Sequence, residues 1–215
     1  MMQIDNSVLV FKKLDTFPDF VLSSFETLAM DQNMKSGDNY RFRAYSTGLI
    51  VSASASLNEE VEAFNQSYLL NHYQGGIDRK FPALEQKIAQ YVIDEMMMKT
   101  LYPELPEADY KFGIHQIRII TTDEIMGKPA PEGIHQDGFD YVAVGCVAVH
   151  NITGGNSILV KNTQRDELCF DEILRPEEVV IFDDRHFAHY ASPIVPKLPG
   201  RGARDVFVVT FERIK

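Results

Sequence analysis

Apolar residues recur with helical spacing in the first half of the chain. Three stretches, 17–30, 58–70 and 84–101, carry them at three- and four-residue intervals, which predicts amphipathic helices. The second begins with an asparagine and two glutamates, a pattern typical of a helix start. Two apolar or alternating runs, at 8–11 and 40–45, are instead predicted to be strands. The N-terminal part, about 15–105, is therefore expected to be mostly helical.

From residue 110 onward the pattern changes to alternation with a period of two. The runs are short and are separated by turns rich in glycine and proline, which indicates strands. Such a series predicts a mainly β fold with N-terminal helices, a double-stranded β-helix of the jelly-roll or cupin type. We expect one domain over 1–215, with its barrel core at about 108–213. The predicted strands are 110–120, 135–150, 156–160, 168–173, 177–183 and 205–211.

The first of these strands carries polar residues within an apolar series. Gln116 and Arg118 share the side of the strand that also holds Ile114 and Ile120. This predicts that they face a lined cavity, where Arg118 could hold a substrate carboxylate with two hydrogen bonds. In the alternative interpretation, Arg118 pairs with a carboxylate at the rim. The sequence leaves both possibilities open.

Composition narrows the class of protein. The formal net charge is −10 over 215 residues, which argues against nucleic acid as a partner, because such affinity depends on basic patches. No apolar run approaches the length of a membrane span and no signal peptide is evident, so a cytoplasmic protein is expected. Two cysteines are too few for a disulfide framework and are predicted to be free thiols. The oligomeric state does not follow from the sequence.

The residues with the clearest chemistry lie in the second half. His135 and Asp137 are two apart, so on a strand both side chains leave from one face and could bind one ion. Two further histidines, His186 and His189, follow a strand-like run. Because they are three apart on an extended chain, only one can join the pair. Two imidazoles and one carboxylate are the ligands that suit non-haem Fe(II).

An arginine follows these residues on the last predicted strand. Arg204 lies 15 positions after His189 and opens the apolar run 205–211. Burying a guanidinium is costly unless it meets an anion. Arg204 is therefore a candidate for binding an anionic ligand inside the barrel.

The order of these residues resembles the iron- and 2-oxoglutarate-dependent dioxygenases. More narrowly, three runs are similar to the bacterial free-amino-acid hydroxylases of the L-isoleucine dioxygenase type. The similarity covers roughly 110–212, and the first hundred residues match less distinctly. The three runs are Gly133–Gly138, Gly154–Ser157 and Asp183–Ile194, the last with its Asp-Asp-Arg, His189 and Ser-Pro-Ile.

The resemblance implies a ligand set and a reaction. It selects His189 over His186, so that His135, Asp137 and His189 would hold Fe(II), and it assigns Arg204 to the distal carboxylate of 2-oxoglutarate. The implied reaction uses O2 to hydroxylate an unactivated C–H bond and releases succinate and CO2. The implied substrate is a small molecule, a free L-amino acid such as isoleucine, leucine or methionine. On the predicted strand 135–150, Phe139, Tyr141 and Ala143 share the face of His135 and Asp137, so Phe139 and Tyr141 are candidate walls for the substrate side chain.

Two other functions fit the same pattern. A cupin-like metalloenzyme could use the triad without 2-oxoglutarate, although Arg204 would then have no evident role. A non-catalytic jelly-roll binding module could carry the His-x-Asp sequence by chance. Metal binding and the response to 2-oxoglutarate distinguish these alternatives.

Overall fold

The computed structural model describes residues 7–35, 37–68, 75–164 and 167–214. In these ranges the chain forms a mainly antiparallel β structure with a few short helices. The strands are β1 (Leu9–Lys13), β2 (Arg41–Val51), β3 (Ser54–Leu57), β4 (Tyr110–Thr121), β5 (Tyr141–His150), β6 (Ile152–Gly154), β7 (Ser157–Lys161), β8 (Leu168–Glu172), β9 (Glu178–Asp183), β10 (Phe187–Ala191), β11 (Ile194–Pro196) and β12 (Gly202–Arg213).

The strands form one large sheet and two small ones. The seven-stranded sheet has the order β1-β9-β5-β12-β4-β2-β3, and β10-β7-β8 and β11-β6 form the smaller sheets. At the centre of the large sheet, β4 and β12 pair along twelve residues each. Residues of β7 and β10 face β2, β4, β5, β9 and β12 across a cavity. The prediction of a jelly-roll fold is confirmed, and β1 and β2 bring the N-terminal part of the chain into its large sheet.

The helices cover the outer face of the large sheet. They are α1 (Asp19–Ser24), which continues into a 3-10 turn (Phe25–Thr27), and α2 (Gln86–Tyr91), which continues as a π-helix (Val92–Leu101) and a 3-10 turn (Tyr102–Glu104). Their buried side chains, including Ile88, Val92 and Met96, pack with the outward residues of β4, β5 and β12 in one hydrophobic core. Apolar residues at helical spacing thus form the face that covers the sheet. Among the described residues, no helix is both long and apolar enough to cross a membrane.

Two of the three predicted helices are present and one prediction was wrong. The stretch 84–101 is helical over most of its length, and 17–30 is helical only up to Thr27. Residues 58–68 form no helix, and 69–70 lie outside the described residues. Phe64 instead makes an antiparallel bridge to Arg79 and is only 4% exposed. Burial of this segment against the barrel therefore outweighs its local helical preference.

The two faces of the large sheet differ in what they bury. Phe112, Ile114 and Phe207 point outward to the helices, whereas Ile117, Val144 and Val206 line the cavity. Since the side chains of a strand alternate between faces, each of the central strands contributes to both environments. The sheet thus separates an apolar helical core from a cavity in which polar groups collect.

Candidate active site

Three side chains with metal-binding atoms converge at the edge of the cavity. One donor atom each from His135, Asp137 and His189 lies within 4.8 Å of the other two. The Nε2 atom of His135 is 3.4 Å from Asp137 Oδ1, and that of His189 is 3.6 Å from Asp137 Oδ2. Two neutral imidazoles and a carboxylate around one point form the facial ligand set of non-haem Fe(II) sites. The residues present therefore fit an Fe(II) ion.

Backbone pairing holds the two histidines opposite each other. His189 lies on β10, and its N–H and C=O exchange hydrogen bonds of 2.7 and 3.0 Å with the backbone of His135. The two imidazole ring centroids are consequently 4.2 Å apart. His186, the competing candidate, points elsewhere: its Nδ1 is 2.8 Å from Asp183 Oδ2, and 53% of its side chain is exposed. The structure thus brings His189, and not His186, to the other two ligands.

A buried carboxylate fixes the loop that carries the aspartate ligand. Asp184 accepts hydrogen bonds from the backbone N–H groups of Asp137, Gly138 and Phe139 at 3.1, 2.7 and 3.2 Å. Its Oδ1 also lies 3.5 Å from His189 Nδ1. Partners of this kind orient metal ligands and raise metal affinity. Asp184 was not among the site residues predicted from the sequence, although it belongs to the Asp183–Ile194 run.

The ligand strand is interrupted after the metal loop. His135 forms only an isolated bridge, and β5 begins at Tyr141. Between them Gly138 has a φ of +92°, a conformation that a residue with a Cβ rarely adopts. The turn resets the alternation, so that Val144, rather than Ala143, lines the cavity. The predicted continuous strand 135–150 is therefore corrected to begin at 141.

Further hydrogen bonds and charges shape the triad. His135 Nδ1 donates to the carbonyl of Gly133 at 2.8 Å, and Gln66 Nε2 donates to Asp137 Oδ1 at 2.5 Å. Burial opposes the charged form of His135, but the hydrogen bond and charge of Asp137, with Glu132, raise its pKa to about 9. The site therefore has a negative potential that favours a bound cation.

The cavity beside the triad is partly apolar and partly cationic. Its volume is about 130 Å³, roughly ten times what one water molecule needs, so it can hold a small molecule. Apolar side chains from five strands line it, together with Glu132 and four arginines. Among the described residues, the apolar ones on these strands include Ile117, Ile119, Val144, Leu159, Val180, Phe182, Val206 and Val208, and the arginines are Arg41, Arg43, Arg79 and Arg204.

Arg204 is buried in this cavity and is 3% exposed. Its Nη2 is 3.4 Å from Ser157 Oγ, and within the described ranges it makes no ion pair. Gly155, whose φ is +78°, lies against the arginine stem, and a Cβ there would be 3.3 Å from Arg204 Cδ. The Gly154–Ser157 run therefore helps to form the surroundings of Arg204. A buried guanidinium without a carboxylate is suited to an anionic ligand.

The predicted substrate contacts of Gln116 and Arg118 require correction. Both lie on the outer face of β4, and Arg118 donates to Asp205 through Nε and Nη2 at 2.7 Å each. Gln116 donates to Ser24 Oγ at 2.7 Å. The carboxylate-paired alternative for Arg118 describes what the structure contains. The cavity face of β4 instead carries the odd-numbered residues, beginning with His115.

The two predicted aromatic walls also lie outside the cavity lining. Tyr141 packs in the helical core and accepts a hydrogen bond of 2.5 Å from Arg213. Phe139 lies behind Phe64, with 6.2 Å between the ring centroids, and Phe64 is the residue that lines the cavity. The reset at Gly138 explains both corrections, because the alternation was extrapolated through it.

Sequence reasoning missed most of the polar lining. The sequence patterns described above do not single out Arg43, Arg79 or Gln66 as cavity residues. Arg41 and Arg43 alternate on β2, and this pattern was a usable signal of a polar face. Gln66 lies in the segment 58–70 that was predicted to be helical, and Arg79 lies after that segment. No such signal is present at either position.

Comparisons with known proteins agree with this geometry. The family model described as 2OG-Fe dioxygenase matches residues 22–210, whereas no curated protein sequence gives a significant match. Among solved structures, a bsmA homolog from Methylobium petroleophilum PM1 has a TM-score of 0.74 at 24% identity, covering 91% of this chain and 80% of that one. IDO from Bacillus thuringiensis has a TM-score of 0.66 at 17% identity, covering 92% and 82%. At these identities the structural matches establish the fold.

The family match extends over most of the chain and includes all three ligands and Arg204. Fe(II), 2-oxoglutarate and O2 are the cofactor and cosubstrates that this family implies, and the donor set and the cavity fit them. The chain therefore belongs to the 2OG-Fe dioxygenase family.

Proposed function

We propose that this dioxygenase hydroxylates an unactivated C–H bond of a free L-amino acid with an aliphatic side chain. The observation that supports this most directly is the cavity beside the triad, which combines apolar walls with buried charged groups. A zwitterion with an aliphatic side chain needs both kinds of contact. The similarity of the three sequence runs to the free-amino-acid hydroxylases supports the same substrate class.

In the proposed reaction His135, Asp137 and His189 hold the metal on one side of the cavity. Bound Fe(II) supplies the oxidising chemistry with O2 and 2-oxoglutarate, which yields hydroxylated substrate, succinate and CO2. Asp184 keeps the loop of Asp137 in place through its three backbone hydrogen bonds. Difficult chemistry of this kind belongs to the cofactor, and the chain supplies binding, orientation and exclusion of water.

Arg204 is proposed to bind the distal carboxylate of 2-oxoglutarate. Its guanidinium is fully buried, its pKa is lowered by burial, and Ser157 provides a neutral hydroxyl beside it. A carboxylate at this point would accept charge-assisted hydrogen bonds and offset the cost of burying the cation.

Apolar residues and one carboxylate would complete the substrate site. Ile117, Val144 and Val206 offer a surface for an aliphatic side chain. Glu132 lines the same cavity, with its Oε1 3.1 Å from His135 Nε2, and is a candidate partner for the substrate ammonium group. Both elements favour a small amino acid over a polymer.

The test is a screen of free L-amino acids for succinate release that is stoichiometric with O2 consumption. Anaerobic addition of Fe(II) and 2-oxoglutarate should first give a weak visible charge-transfer band. Isoleucine, leucine or methionine should then stimulate succinate release in air. Stimulation by peptides or non-amino acids alone would contradict the proposed substrate class.

The two competing histidines provide a matched pair of variants. His189→Ala should abolish the charge-transfer band and the turnover because the metal loses a ligand, and His186→Ala should retain both. Loss of the band in His186→Ala alone would contradict the proposed ligand set. A bound metal without the band would instead favour a cupin-type enzyme that does not use 2-oxoglutarate.

A further inference from the structure

Arg43 is a second buried cation in the cavity. It lies on β2, is 6% exposed and donates through Nη2 to His115 Nδ1 at 2.7 Å. Its guanidinium carbon lies 5.0 Å from the ring centroid of Phe64 and 4.4 Å from that of Phe81. Within the described residues, no carboxylate forms an ion pair with Arg43, and its Nε has no hydrogen-bond partner.

The surroundings of Arg43 make its burial costly. Burial and the positive charges of Arg41 and Arg79 lower its pKa to about 9, so the group remains charged at neutral pH. The neighbouring Arg41 differs, because its Nε donates to the buried Asp31 Oδ2 at 2.7 Å. Arg41 and Arg79 repel Arg43, and the charges of Asp31 and Asp137 offset this only in part. Among the described residues no carboxylate forms an ion pair with Arg43, the arrangement expected where the natural counter-ion is a ligand.

His115 adds a neutral hydrogen-bond donor next to Arg43. It is 2% exposed, and burial and the charge of Arg43 lower its pKa well below the usual value, so the imidazole is neutral. Because an arginine can only donate, Nδ1 of His115 accepts and the ring proton lies on Nε2. Among the described residues this Nε2 has no hydrogen-bond partner. The cavity lining therefore includes the free N–H donor of His115 beside the guanidinium of Arg43, which has no carboxylate partner among the described residues.

This pair is separate from Arg204 but borders the metal centre. In the sheet β4 lies between β2 and β12, which puts the backbones of Arg43 and Arg204 roughly 12 Å apart from strand spacing and rise. No other arginine contributes to the pKa of Arg204. The charge of Asp137, by contrast, acts on the pKa of both His115 and Arg43.

We propose that Arg43 and His115 bind the carboxylate of the primary substrate, as a second anion site beside the 2-oxoglutarate site. This inference rests on the proposed function and deepens it, since it assigns the α-carboxylate of the amino acid to these two residues. Arg79, which donates to Gln66 Oε1 at 2.6 Å, adds positive potential to the same wall. The apolar residues of the same cavity, among them Ile117, Val144 and Val206, then receive the aliphatic side chain.

The first experiment compares wild type with Arg43→Met and Arg43→Lys. Losing a charge-assisted contact should raise the KM for the amino acid at least about tenfold in Arg43→Met. The dissociation constant for 2-oxoglutarate, read from the anaerobic visible band, should stay unchanged. Arg43→Lys keeps the positive charge but not the planar guanidinium that can bind both carboxylate oxygens. Its KM should therefore lie between those of wild type and Arg43→Met. An unchanged KM in Arg43→Met would overturn the inference and leave the proposed function intact.

The second experiment uses probes that do not depend on turnover. With Fe(II) and saturating 2-oxoglutarate under anaerobic conditions, sodium pentanoate should bind wild type in calorimetry and should bind Arg43→Met at least about tenfold more weakly. Pentanamide, which lacks the charge, should not distinguish the two proteins. Equal pentanoate binding by both would overturn the inference, whatever the amino-acid screen shows. Failure of that screen with pentanoate binding intact would overturn only the proposed function.

Thermal unfolding distinguishes a ligand-binding role of Arg43 from a purely structural one. Without ligand, Arg43→Met should unfold at the same temperature as wild type or higher, because a buried cation repelled by its neighbours is removed. A lower unfolding temperature in both variants, with no effect on pentanoate binding, would show that Arg43 serves the fold and would overturn the inference.

Discussion

The two faces of the large sheet both bury arginine, but they surround it differently. On the helical face, Arg118 makes two 2.7 Å hydrogen bonds to Asp205 and a 2.6 Å ion pair with Glu26. On the cavity face, Arg43 and Arg204 are as well buried, and in the described part of the chain neither forms an ion pair with a carboxylate. Burial alone therefore does not mark an arginine as a candidate for ligand binding, whereas burial without a carboxylate partner does.

The physical reason is the cost of removing a charge from water. A cation that is paired with a carboxylate recovers that cost within the protein. Arg118 is therefore expected to stabilise the fold on the helical face. A cation without a carboxylate partner would recover it when an anion binds, so we expect ligands to stabilise the cavity face. Truncating an arginine should consequently reduce stability on one face and affinity on the other.

The largest effect is expected for Arg118→Met. The substitution leaves the buried carboxylate of Asp205 without its cation, and breaking such a pair costs roughly 3–5 kcal/mol of unfolding free energy. Urea denaturation of the metal-free protein measures this loss. The affinity for 2-oxoglutarate in the folded variant should be close to that of wild type.

The double variant Arg118→Met with Asp205→Leu is the control. Removing both charges removes the unpaired carboxylate, so stability should return close to the wild-type value. A loss below about 1 kcal/mol in the single variant would mean that this pair behaves like an exposed one. The helical face would then not differ from the cavity face in how much its arginine contributes to stability.

The converse result is expected for Arg204→Met. Losing one partner of a buried charged contact costs about 2 kcal/mol or more, so 2-oxoglutarate should bind at least about 30-fold more weakly. Without ligand, the unfolding free energy should be unchanged or higher, because a buried unpaired cation has been removed. Titration of the anaerobic charge-transfer band and urea denaturation measure the two quantities. Unchanged 2-oxoglutarate affinity would contradict the assignment of Arg204.

The sequence carried enough information to predict the fold type and the three converging metal-binding residues. Alternation and turn residues after position 110 reflect local preferences, which a single sequence displays directly. His135 and Asp137 could be selected because metal-site chemistry accepts few residue types, whereas the family resemblance was needed to choose His189 over His186. Arg204 was recognisable because a charged residue in an apolar strand requires an explanation.

The wrong sequence-based predictions concern positions where tertiary contacts, and not local sequence preferences, determine the structure. Alternation shows which residues share a face but not which face adjoins the cavity. The expectation that Gln116 faces the cavity was therefore wrong, and the choice between the two interpretations of Arg118 had to come from the structure. The positive φ of Gly138 reset the pattern and misplaced Phe139 and Tyr141. A segment predicted as a helix became an extended part of the cavity wall through Phe64, because burial there outweighs local preference.

Asp184 is a buried charge of a third kind, different both from the paired Arg118 and from the cavity arginines. Asp184 is 1% exposed and is satisfied by three backbone N–H groups of the metal loop instead of by an arginine. In Asp184→Asn one acceptor oxygen is replaced by an NH2 group, which can only donate. The side chain therefore loses some of its hydrogen bonds to the backbone N–H groups of the metal loop. Metal affinity should fall about 10- to 100-fold, as is usual for partners that orient metal ligands.

Competition with a chelator of known affinity measures this change, and the preceding aspartate offers a matched control. Asp183 accepts from Arg185 N–H and from His186 Nδ1, at 2.9 and 2.8 Å, and among the described residues its side chain accepts no hydrogen bond from residues 137–139. Asp183→Asn should therefore leave metal affinity close to wild type. Equal losses in the two variants would argue against a specific role for Asp184.

The smallest effect is expected at the exposed end of the arginine network, with Glu26→Gln. Glu26 is 66% exposed, so at neutral pH its ion pair with Arg118 should contribute less than about 1 kcal/mol. The hydrogen bond with Arg118 lowers the pKa of Glu26 below 4.5, so the stabilisation is complete above that pH and is lost as pH falls through the lowered pKa. Urea denaturation at neutral pH and just below pH 4.5 should show the difference from wild type shrinking, while Glu60→Gln, at an exposed glutamate, shows none. A difference that grows on acidification would mean that Glu26 is stabilised in its protonated form, and Arg118 would then depend on Asp205 alone.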